Sequence, residues 1–375
     1  MSVKKDQTQI GILGGGQLAR MLCLKAHEAG WEPHVLSPSP EDPAAQVTAL
    51  WHKGSIDNRT DLSHFFKNVD IVTFESEFCD VNVIQSVARE NKKVTVAPSL
   101  QAIGILQDRL SQKESLVQCG LPTSRFFEVS SYQDLQKLYS QFPKGCVLKR
   151  RRFGYDGYGT FVLKSKKDLQ NLNPDVFELL GGFIVEEYIP FKRELAIMGF
   201  RNASGDLVTF PLSETYQENA RCLWVKGPIF HNKALFLKKK LKKYMESLNY
   251  VGAMALELFD TGSDLIVNEV APRVHNSGHY SLDGLTIDQF ALHLRAIVGI
   301  PLKSPKLLLG GYAMYNLLGQ SKKAPKLSFS SEAHLHWYGK KENRPGRKMG
   351  HINHVSSDPD KSLKILKKSA KEFQL

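Results

Sequence analysis

Two apolar segments flank a turn that contains Gly262: Ala253-Met-Ala-Leu-Glu-Leu-Phe259 and Asp264-Leu-Ile-Val-Asn-Glu-Val270. They predict a β-hairpin over residues 251–270. Glu257 and Glu269 are twelve residues apart in the chain. A hairpin centred near residue 263 therefore places these two side chains opposite one another and on the same face of the strands.

Two opposed carboxylates in otherwise apolar strands repel each other unless a cation lies between them. Hard divalent ions bound by carboxylates and nucleotide phosphates remove that repulsion, and Mg²⁺ is the usual choice. Glu257 and Glu269 therefore predict a magnesium site. Solvated acids on a surface hairpin are the alternative interpretation.

A second glycine-rich loop follows a strand that ends at Lys149: Val147-Leu-Lys-Arg-Arg-Arg-Phe-Gly-Tyr-Asp-Gly-Tyr-Gly159. Three glycines close to a lysine are typical of a flap whose amides cover the β- and γ-phosphates of a nucleotide. The loop lacks Gly-Lys-Ser/Thr, so it is not a P-loop. A mobile hairpin turn would have the same composition. Together with the two carboxylates, the loop indicates an ATP site that uses Mg²⁺.

The first hundred residues alternate apolar runs with amphipathic stretches, which predicts a parallel sheet covered by helices on both faces. Strands are expected at 9–13, 33–36, 71–74 and 94–97, and helices at 17–29 and 81–90. The loop Gly14-Gly-Gly-Gln-Leu-Ala19 fits the Gly-x-Gly-x-x-Ala pattern that approaches phosphates. A dinucleotide site also requires an acid near the end of the second strand, where the chain reads Val35-Leu-Ser-Pro38. The loop thus favours a ribose-phosphate or another small ligand over NAD, with a purely structural turn as the alternative.

The remaining chain predicts short strands at 146–150, 160–163, 183–188, 195–200 and 207–211, and helices near 108–119 and 287–298. We expect three domains. Residues 1–104 form a Rossmann-like domain, 105–300 a second domain with a lid at about 123–190, and 301–375 a small basic domain.

The net charge is 50 − 38 = +12 over 375 residues, and most of the excess follows residue 300. The basic run Arg344-Pro-Gly-Arg-Lys348 lies in a Gly/Pro loop, which favours a bound phosphate. No aromatic residues interleave with the basic ones, which argues against a nucleic-acid track.

No apolar run approaches the ~18 residues that cross a bilayer. The 5 cysteines are widely spaced and include no Cys-x-x-Cys pair, so they imply neither a disulfide framework nor a zinc site. Free cysteines are typical of the reducing cytosol, and we therefore expect a soluble, cytoplasmic protein.

In their order, these features resemble the ATP-grasp superfamily: a phosphate-side lysine, a glycine flap, an adenine hinge and two Mg²⁺ carboxylates. A closer resemblance is to the 5-(carboxyamino)imidazole ribonucleotide synthase family of purine synthesis. It rests on Gly14-Gly-Gly-Gln-Leu-Ala-Arg-Met21, Phe74-Glu-Ser-Glu77, residues 149–159, Asn268-Glu-Val-Ala-Pro-Arg-Val-His-Asn-Ser-Gly-His279 and Arg344-Pro-Gly-Arg-Lys-Met-Gly-His351.

This resemblance implies a mixed α/β and α+β architecture: an ATP-grasp fold with an N-terminal Rossmann-like parallel-sheet domain and a small C-terminal domain. It implies ATP and Mg²⁺ as cofactors, and 5-aminoimidazole ribonucleotide and bicarbonate as substrates. In the family's reaction, bicarbonate is phosphorylated to carboxyphosphate, which breaks down to CO₂ for the amine to attack. The family also suggests a homodimer.

Residue roles follow from the resemblance. The implied catalytic residues are Arg273, His275, Asn276 and Lys149. The implied nucleotide-binding residues are Arg109, Lys149, Gly154, Tyr155, Asp156, Gly157, Gly159, Glu186, Glu187, Tyr188, Ile189, Glu194, Gln217, Asn268 and Glu269. The implied substrate-binding residues are Gln17, Leu18, Glu75, Asp156, Arg273, Arg344, Arg347 and Lys348. The implied metal ligands are Glu257 and Glu269.

The chain departs from the family pattern in three stretches, one of which is Phe78-Cys-Asp-Val81, where the family usually has Asn-Val/Ile-Pro. Tyr158 and Thr160 replace a basic residue and a glutamine in the flap, and Gln217 stands where the family tends to have histidine. Three alternatives stay open: another ATP-grasp ligase of the formate-dependent glycinamide ribonucleotide transformylase type, a non-catalytic ribonucleotide-binding relative, and a basic nucleic-acid binder.

Overall fold

The computed structural model describes residues 8–154, 157–179, 181–321 and 332–373. The strands, in chain order, are β1 Gln9–Leu13, β2 Glu32–Ser37, β3 Leu50–Lys53, β4 Ile71–Phe74, β5 Thr95–Val96, β6 Phe126–Val129, β7 Cys146–Arg150, β8 Thr160–Leu163, β9 Phe183–Glu187, β10 Arg193–Arg201, β11 Leu207–Thr209, β12 Ser213–Glu218, β13 Arg221–Gly227, β14 Gly252–Asp260, β15 Leu265–Ala271, β16 Gly311–Leu318, β17 His334–Trp337 and β18 Lys348–Ser356. The helices are α1 Gln17–Glu28, α2 Arg59–Phe66, α3 Val81–Glu90, α4 Leu100–Leu106, α5 Arg109–Gln118, α6 Tyr132–Tyr139, α7 Lys166–Asn171, α8 Ala234–Ser247, α9 Ser281–Gly284, α10 Gln289–Val298 and α11 Pro359–Ser369.

The first five strands form a parallel sheet in the order β3-β2-β1-β4-β5. All residues of β1 and β4 are buried, as expected for a parallel sheet with helices on both faces. The predicted N-terminal parallel-sheet architecture is therefore confirmed. The sequence pattern does not predict the edge strand β3. This strand has only four residues, and two of them, His52 and Lys53, are polar.

A four-stranded antiparallel sheet, in the order β6-β9-β7-β8, carries the glycine-rich flap. It has a hydrophobic core of its own, built around Leu148, Leu163 and Val185. Strands β7 and β8 have the predicted bounds and flank the flap, so Lys149 lies one residue before the end of β7.

The third sheet has nine strands, ordered β15-β14-β10-β12-β13-β16-β18-β17, with β11 paired to β10. The C-terminal strands join it through β13 and β16, where Trp224 pairs with Tyr315. Helix α11 packs on this end and buries Leu363 and Leu366 against Trp224. The basic C-terminal unit therefore extends the sheet that contains the acidic hairpin.

One hydrophobic cluster connects all three parts of the chain. It includes Leu22 of α1, Phe290 of α10 and Tyr338, which lies just after β17. This packing holds the face of the parallel sheet that α1 covers against α10 and the large sheet. No helix in the described part of the chain is long and apolar enough to cross a membrane.

Candidate active site

The acidic hairpin forms as predicted, and Glu257 pairs directly with Glu269. The register nearer the turn, where Leu258 pairs with Val267, would instead place Glu257 opposite Asn268. A β-bulge at Asn268 shifts the register by one residue. Because of this bulge, Asn268 and Glu269 both line the same cavity as Glu257.

This central cavity has a volume of about 530 Å³ and lies where the three sheets meet. Most of the predicted site residues line it: Gln17, Leu18, Glu75, Arg109, Lys149, Gly154, Gly157, Glu186, Glu187, Tyr188, Ile189, Glu194, Gln217, Glu257, Asn268, Glu269, Arg273, His275, Asn276 and Lys348. Gly159, Arg344 and Arg347 are not among its lining residues. Tyr155 and Asp156 lie outside the described residues.

One end of the cavity is apolar. Val147 and Val162 face it from the flap sheet, and Ile189 follows the end of β9. Phe191 and Phe259 stack with ring centroids 4.7 Å apart and planes 9° apart, and both line the cavity. A flat aromatic ligand fits such a slot. The sequence prediction missed these two phenylalanines, which become neighbours only through the pairing of β10 with β14.

Glu194 lies between this apolar slot and the acidic hairpin. Burial, with a smaller contribution from the charge of Glu257, raises the pKa of Glu194 to about 7. Near neutral pH this carboxyl group can both accept and donate hydrogen bonds, which suits ligand hydroxyl groups.

Next to the slot, Glu186 binds two lysines. Its Oε1 lies 3.2 Å from Lys149 Nζ, and its Oε2 lies 2.8 Å from Lys113 Nζ. Burial alone would raise the pKa of Glu186, but the two ammonium groups lower it to about 2. Lys149 also donates to Asn268 Oδ1 at 2.8 Å. This contact connects the flap sheet to the bulge.

Arg109 connects the hairpin to the flap. Its Nη2 donates to Glu269 Oε1 at 3.0 Å and to Gly154 O at 3.3 Å. A Cβ atom at Gly154 would lie 2.6 Å from Arg109 Nη1, so a larger residue there would displace the guanidinium. The neighbouring Asp108 caps α5 and also accepts from Arg151 Nη2 at 2.7 Å. These contacts anchor the start of the flap beside the hairpin.

The metal prediction concerns Glu257 and Glu269. His275 Nε2 lies 3.1 Å from Glu257 Oε1. Burial would raise the pKa of Glu257, but hydrogen bonding and charge from His275 hold it below its usual value. Within the described ranges, no three His, Cys, Asp or Glu side chains are grouped to hold a metal ion. Two opposed carboxylates nevertheless fit Mg²⁺, which is commonly bound by one or two carboxylates together with phosphates and water.

Beyond the hairpin, Arg273 is held by Glu77. Its Nε donates to Glu77 Oε2 at 2.6 Å, and its Nη2 to Glu77 Oε1 at 3.3 Å. Burial would raise the pKa of Glu77, but the guanidinium keeps it below its usual value. Asn276 is fixed in a similar way, because its amide and that of Asn316 donate to each other at 3.1 and 2.7 Å. The side chains at this end are therefore preorganised.

The N-terminal glycine loop binds a carboxylate of the chain itself. The amide of Gly16 donates to Glu75 Oε2. A Cβ atom at Gly15 would lie 2.6 Å from Ser37 Cβ, so the glycines also permit close packing. Burial raises the pKa of Glu75 to about 7 despite that hydrogen bond. Gln17 and Leu18, which begin α1, line the cavity beside Glu75.

Of the three basic residues in the loop 344–348, only Lys348 lines the cavity. This lysine begins β18. Arg344 and Arg347 instead lie 3.4 and 3.6 Å from Glu342 Oε2. Among the departures from the family pattern, Gln217 and Thr160 line the cavity. Tyr158 is half exposed, with its ring 6.0 Å from the guanidinium carbon of Arg150.

Three family models match the chain: a ribonucleotide synthetase preATP-grasp domain over residues 7–107, an ATP-grasp domain over 114–290, and a phosphoribosylaminoimidazole carboxylase C-terminal domain over 313–364. N5-carboxyaminoimidazole ribonucleotide synthase of Synechococcus elongatus is 39% identical over 354 residues, which covers 92% of this chain and 88% of the relative. The enzyme of that name from Synechocystis is 36% identical over 369 residues, covering 94% and 92%.

Solved structures of proteins with this name are also similar to the chain over nearly its whole length. N5-carboxyaminoimidazole synthetase of Staphylococcus aureus, complexed with ADP, superposes with a TM-score of 0.89 at 30% identity and covers 98% of this chain and 99% of that chain. The synthase of Aspergillus clavatus in complex with ADP and 5-aminoimidazole ribonucleotide has a TM-score of 0.86 at 28% identity, with coverage of 98% and 99%.

Proposed function

Because the chain belongs to the N5-carboxyaminoimidazole ribonucleotide synthase family, we propose that its central cavity binds MgATP, bicarbonate and 5-aminoimidazole ribonucleotide. The chain is an ATP-dependent ligase that carboxylates 5-aminoimidazole ribonucleotide in purine biosynthesis. We further propose that it works in the cytoplasm as a homodimer, and that residues 1–104, 105–300 and 301–375 form its domains.

The nucleotide occupies the side of the cavity next to the flap sheet. The adenine ring lies in the slot between the valines of that sheet and the stacked Phe191 and Phe259, against the hinge formed by residues 186–189. The carboxyl group of Glu194 forms hydrogen bonds with the ribose hydroxyl groups. Arg109 and Lys149, each already positioned by a carboxylate, bind the phosphates. Gln217 lines the same side, and the flap glycines let the main chain approach the phosphates.

Glu257 and Glu269 would hold Mg²⁺, which supplies neutralisation of the charge on the triphosphate. Asn268 lies between them and Lys149, and its amide oxygen orients the lysine. Catalysis of phosphoryl transfer is mostly positioning and electrostatic stabilisation. The chain provides both through fixed side chains.

Arg273, His275 and Asn276 bind bicarbonate close to the γ-phosphate. An oxygen of bicarbonate attacks the γ-phosphorus, the bond to the β-phosphate oxygen breaks, and ADP and carboxyphosphate result. Carboxyphosphate then divides into phosphate and CO₂. The exocyclic amine of 5-aminoimidazole ribonucleotide attacks the CO₂ carbon and gives up a proton, which phosphate accepts.

The ribonucleotide lies on the side of the N-terminal sheet. Gln17, Leu18 and Glu75 contact its base and amine, and Lys348, with Arg344 and Arg347, binds its 5′-phosphate. Glu75 is well suited to hold the amine, because Gly16 already orients its carboxyl group. To bind the phosphate, Arg344 and Arg347 would have to break their ion pairs with Glu342.

The observation that carries this proposal is the single cavity that joins the opposed pair Glu257 and Glu269 to the residues from the N-terminal and C-terminal parts of the chain. Its test is a coupled assay of ADP release with Mg²⁺, in the presence and absence of bicarbonate and 5-aminoimidazole ribonucleotide. We expect ADP release to rise when both substrates are present. Equal release in every mixture would contradict the proposal, and stimulation by formate with glycinamide ribonucleotide would favour the transformylase alternative.

A further inference from the structure

Lys113 is a buried lysine close to the phosphate end of the cavity, with a side chain only 1% exposed. It lies on α5, one turn after Arg109 and on the same face of the helix. Its ammonium group donates to Thr123 Oγ1 and Ser124 Oγ, both at 2.8 Å, and lies 2.8 Å from Glu186 Oε2. A lysine is rarely buried so completely unless its charge is paired.

Glu186 separates Lys113 from the cavity. One of its carboxylate oxygens binds Lys113 and the other binds Lys149. Ser124 donates to the Lys113-side oxygen at 2.7 Å, which fixes the orientation of the carboxylate. Two ammonium groups therefore share one carboxylate, and the group of three has a net charge of +1.

We propose that Lys113 is a positioning residue for nucleotide binding, because it neutralises Glu186 and leaves the charge of Lys149 available to the phosphates. The inference rests on the proposed role of Lys149 as a phosphate ligand. Without Lys113, the full charge of Glu186 would act on Lys149 at 3.2 Å. The pair would then be neutral, and a triphosphate would gain little from it.

The titration of Lys113 supports this. Burial lowers its pKa to about 8, although the charge of Glu186 acts in the opposite direction. The charged groups around it are Glu186 on β9, Lys149 on β7 and Glu269 on β15. When Lys113 loses its proton, the net charge of the three groups falls by one. Nucleotide affinity should therefore weaken as the pH rises through about 8.

The test is calorimetric titration of the full chain with ADP and Mg²⁺, comparing the wild type, Lys113→Met and the exposed-surface control Lys239→Met. Methionine is an unbranched side chain only one atom shorter than lysine, and it carries no charge. We expect Lys113→Met to weaken ADP binding by at least about tenfold and to abolish the affinity loss near pH 8. Lys239→Met should match the wild type in both respects. Wild-type affinity in Lys113→Met would overturn the inference.

The double variant Lys113→Met/Glu186→Gln distinguishes charge balance from damage to the fold. Glutamine removes the carboxylate charge that Lys113 neutralises, so the double variant should bind ADP at least about threefold more tightly than Lys113→Met. A folded double variant, judged by its circular dichroism, that binds as weakly as Lys113→Met would overturn the inference. If Lys113→Met does not fold, the folded double variant is compared with the wild type, and ADP binding more than about tenfold weaker than in the wild type would overturn the inference. Failure of the wild type to bind ADP would instead refute the proposed function.

Discussion

We expect Glu77→Gln to impair the use of bicarbonate selectively. Glu77 does not have to touch any substrate to have this effect, since it holds Arg273 through two hydrogen bonds of 2.6 and 3.3 Å. The side chains of Arg273 and Glu77 are only 19% and 9% exposed, so little water can replace a lost partner. Glutamine has the same shape, but it carries no charge to balance the guanidinium, and its NH₂ group cannot accept the hydrogen bond that the second carboxylate oxygen accepts.

The size of the effect follows from this geometry. Removing one charge from a buried ion pair costs about 3–5 kcal/mol. Because the cavity leaves part of Arg273 exposed, we reduce this to about 2 kcal/mol. If that loss falls on the transition state of bicarbonate phosphorylation, kcat/KM for bicarbonate decreases roughly 30-fold.

The assay is ADP release at saturating ATP and 5-aminoimidazole ribonucleotide with bicarbonate varied. Glu90→Gln is the matched control, because Glu90 pairs with Arg59 on the surface and both side chains are 56% exposed. A kcat/KM for bicarbonate within twofold of wild type in Glu77→Gln would refute the reasoning. An equal rise in the KM for ATP would also refute it, since the effect would then not be specific to Arg273.

Three further variants test the rest of the site. Glu269→Gln should lower kcat at least about 100-fold and raise the Mg²⁺ concentration for half-maximal ADP release, because a charge is lost without a change of shape; a near-normal kcat would exclude Glu269 as a metal ligand. Lys348→Ala should raise the KM for 5-aminoimidazole ribonucleotide about tenfold and leave the KM for ATP unchanged, and equal changes would contradict its proposed phosphate contact. Glu75, whose pKa is raised to about 7, is protonated below that pH. The kcat/KM for 5-aminoimidazole ribonucleotide should therefore rise as the pH increases through 7, and Glu75→Gln should remove this dependence; an unchanged profile in the variant would assign it to another group.

Local patterns predicted the elements that have strong local signals. Strands β1, β4, β7 and β8 and helix α3 have the predicted bounds, because apolar runs and the Asp80 cap define them within a few residues. The hairpin was also predictable, because its two apolar strands and the turn with Gly262 follow one another directly in the sequence. The bulge at Asn268 was not predicted, because no glycine or other local signal marks it, and the partner of its side chain, Lys149, lies 119 residues away.

The unpredicted parts of the site involve long-range partners. Arg109 and Glu269 are 160 residues apart, and Arg273 and Glu77 are 196 residues apart. No pattern within one segment identifies such pairs. Lys113 had a weak local signal, its spacing of four residues from Arg109 on a predicted helix. That signal does not indicate burial, which comes from β6, β9 and the segment that contains Ser124.

The continuous nine-stranded sheet limits how this chain can be cut. A fragment ending near residue 310 would contain every residue of the acidic hairpin, yet it would leave β13 as a newly open edge. The main-chain groups of residues 224–227 that now pair with β16 would lose their partners, and Trp224 would lose the apolar cover of α11. Open apolar edges recruit further strands. We therefore expect such a fragment to aggregate rather than to survive as a smaller nucleotide-binding protein.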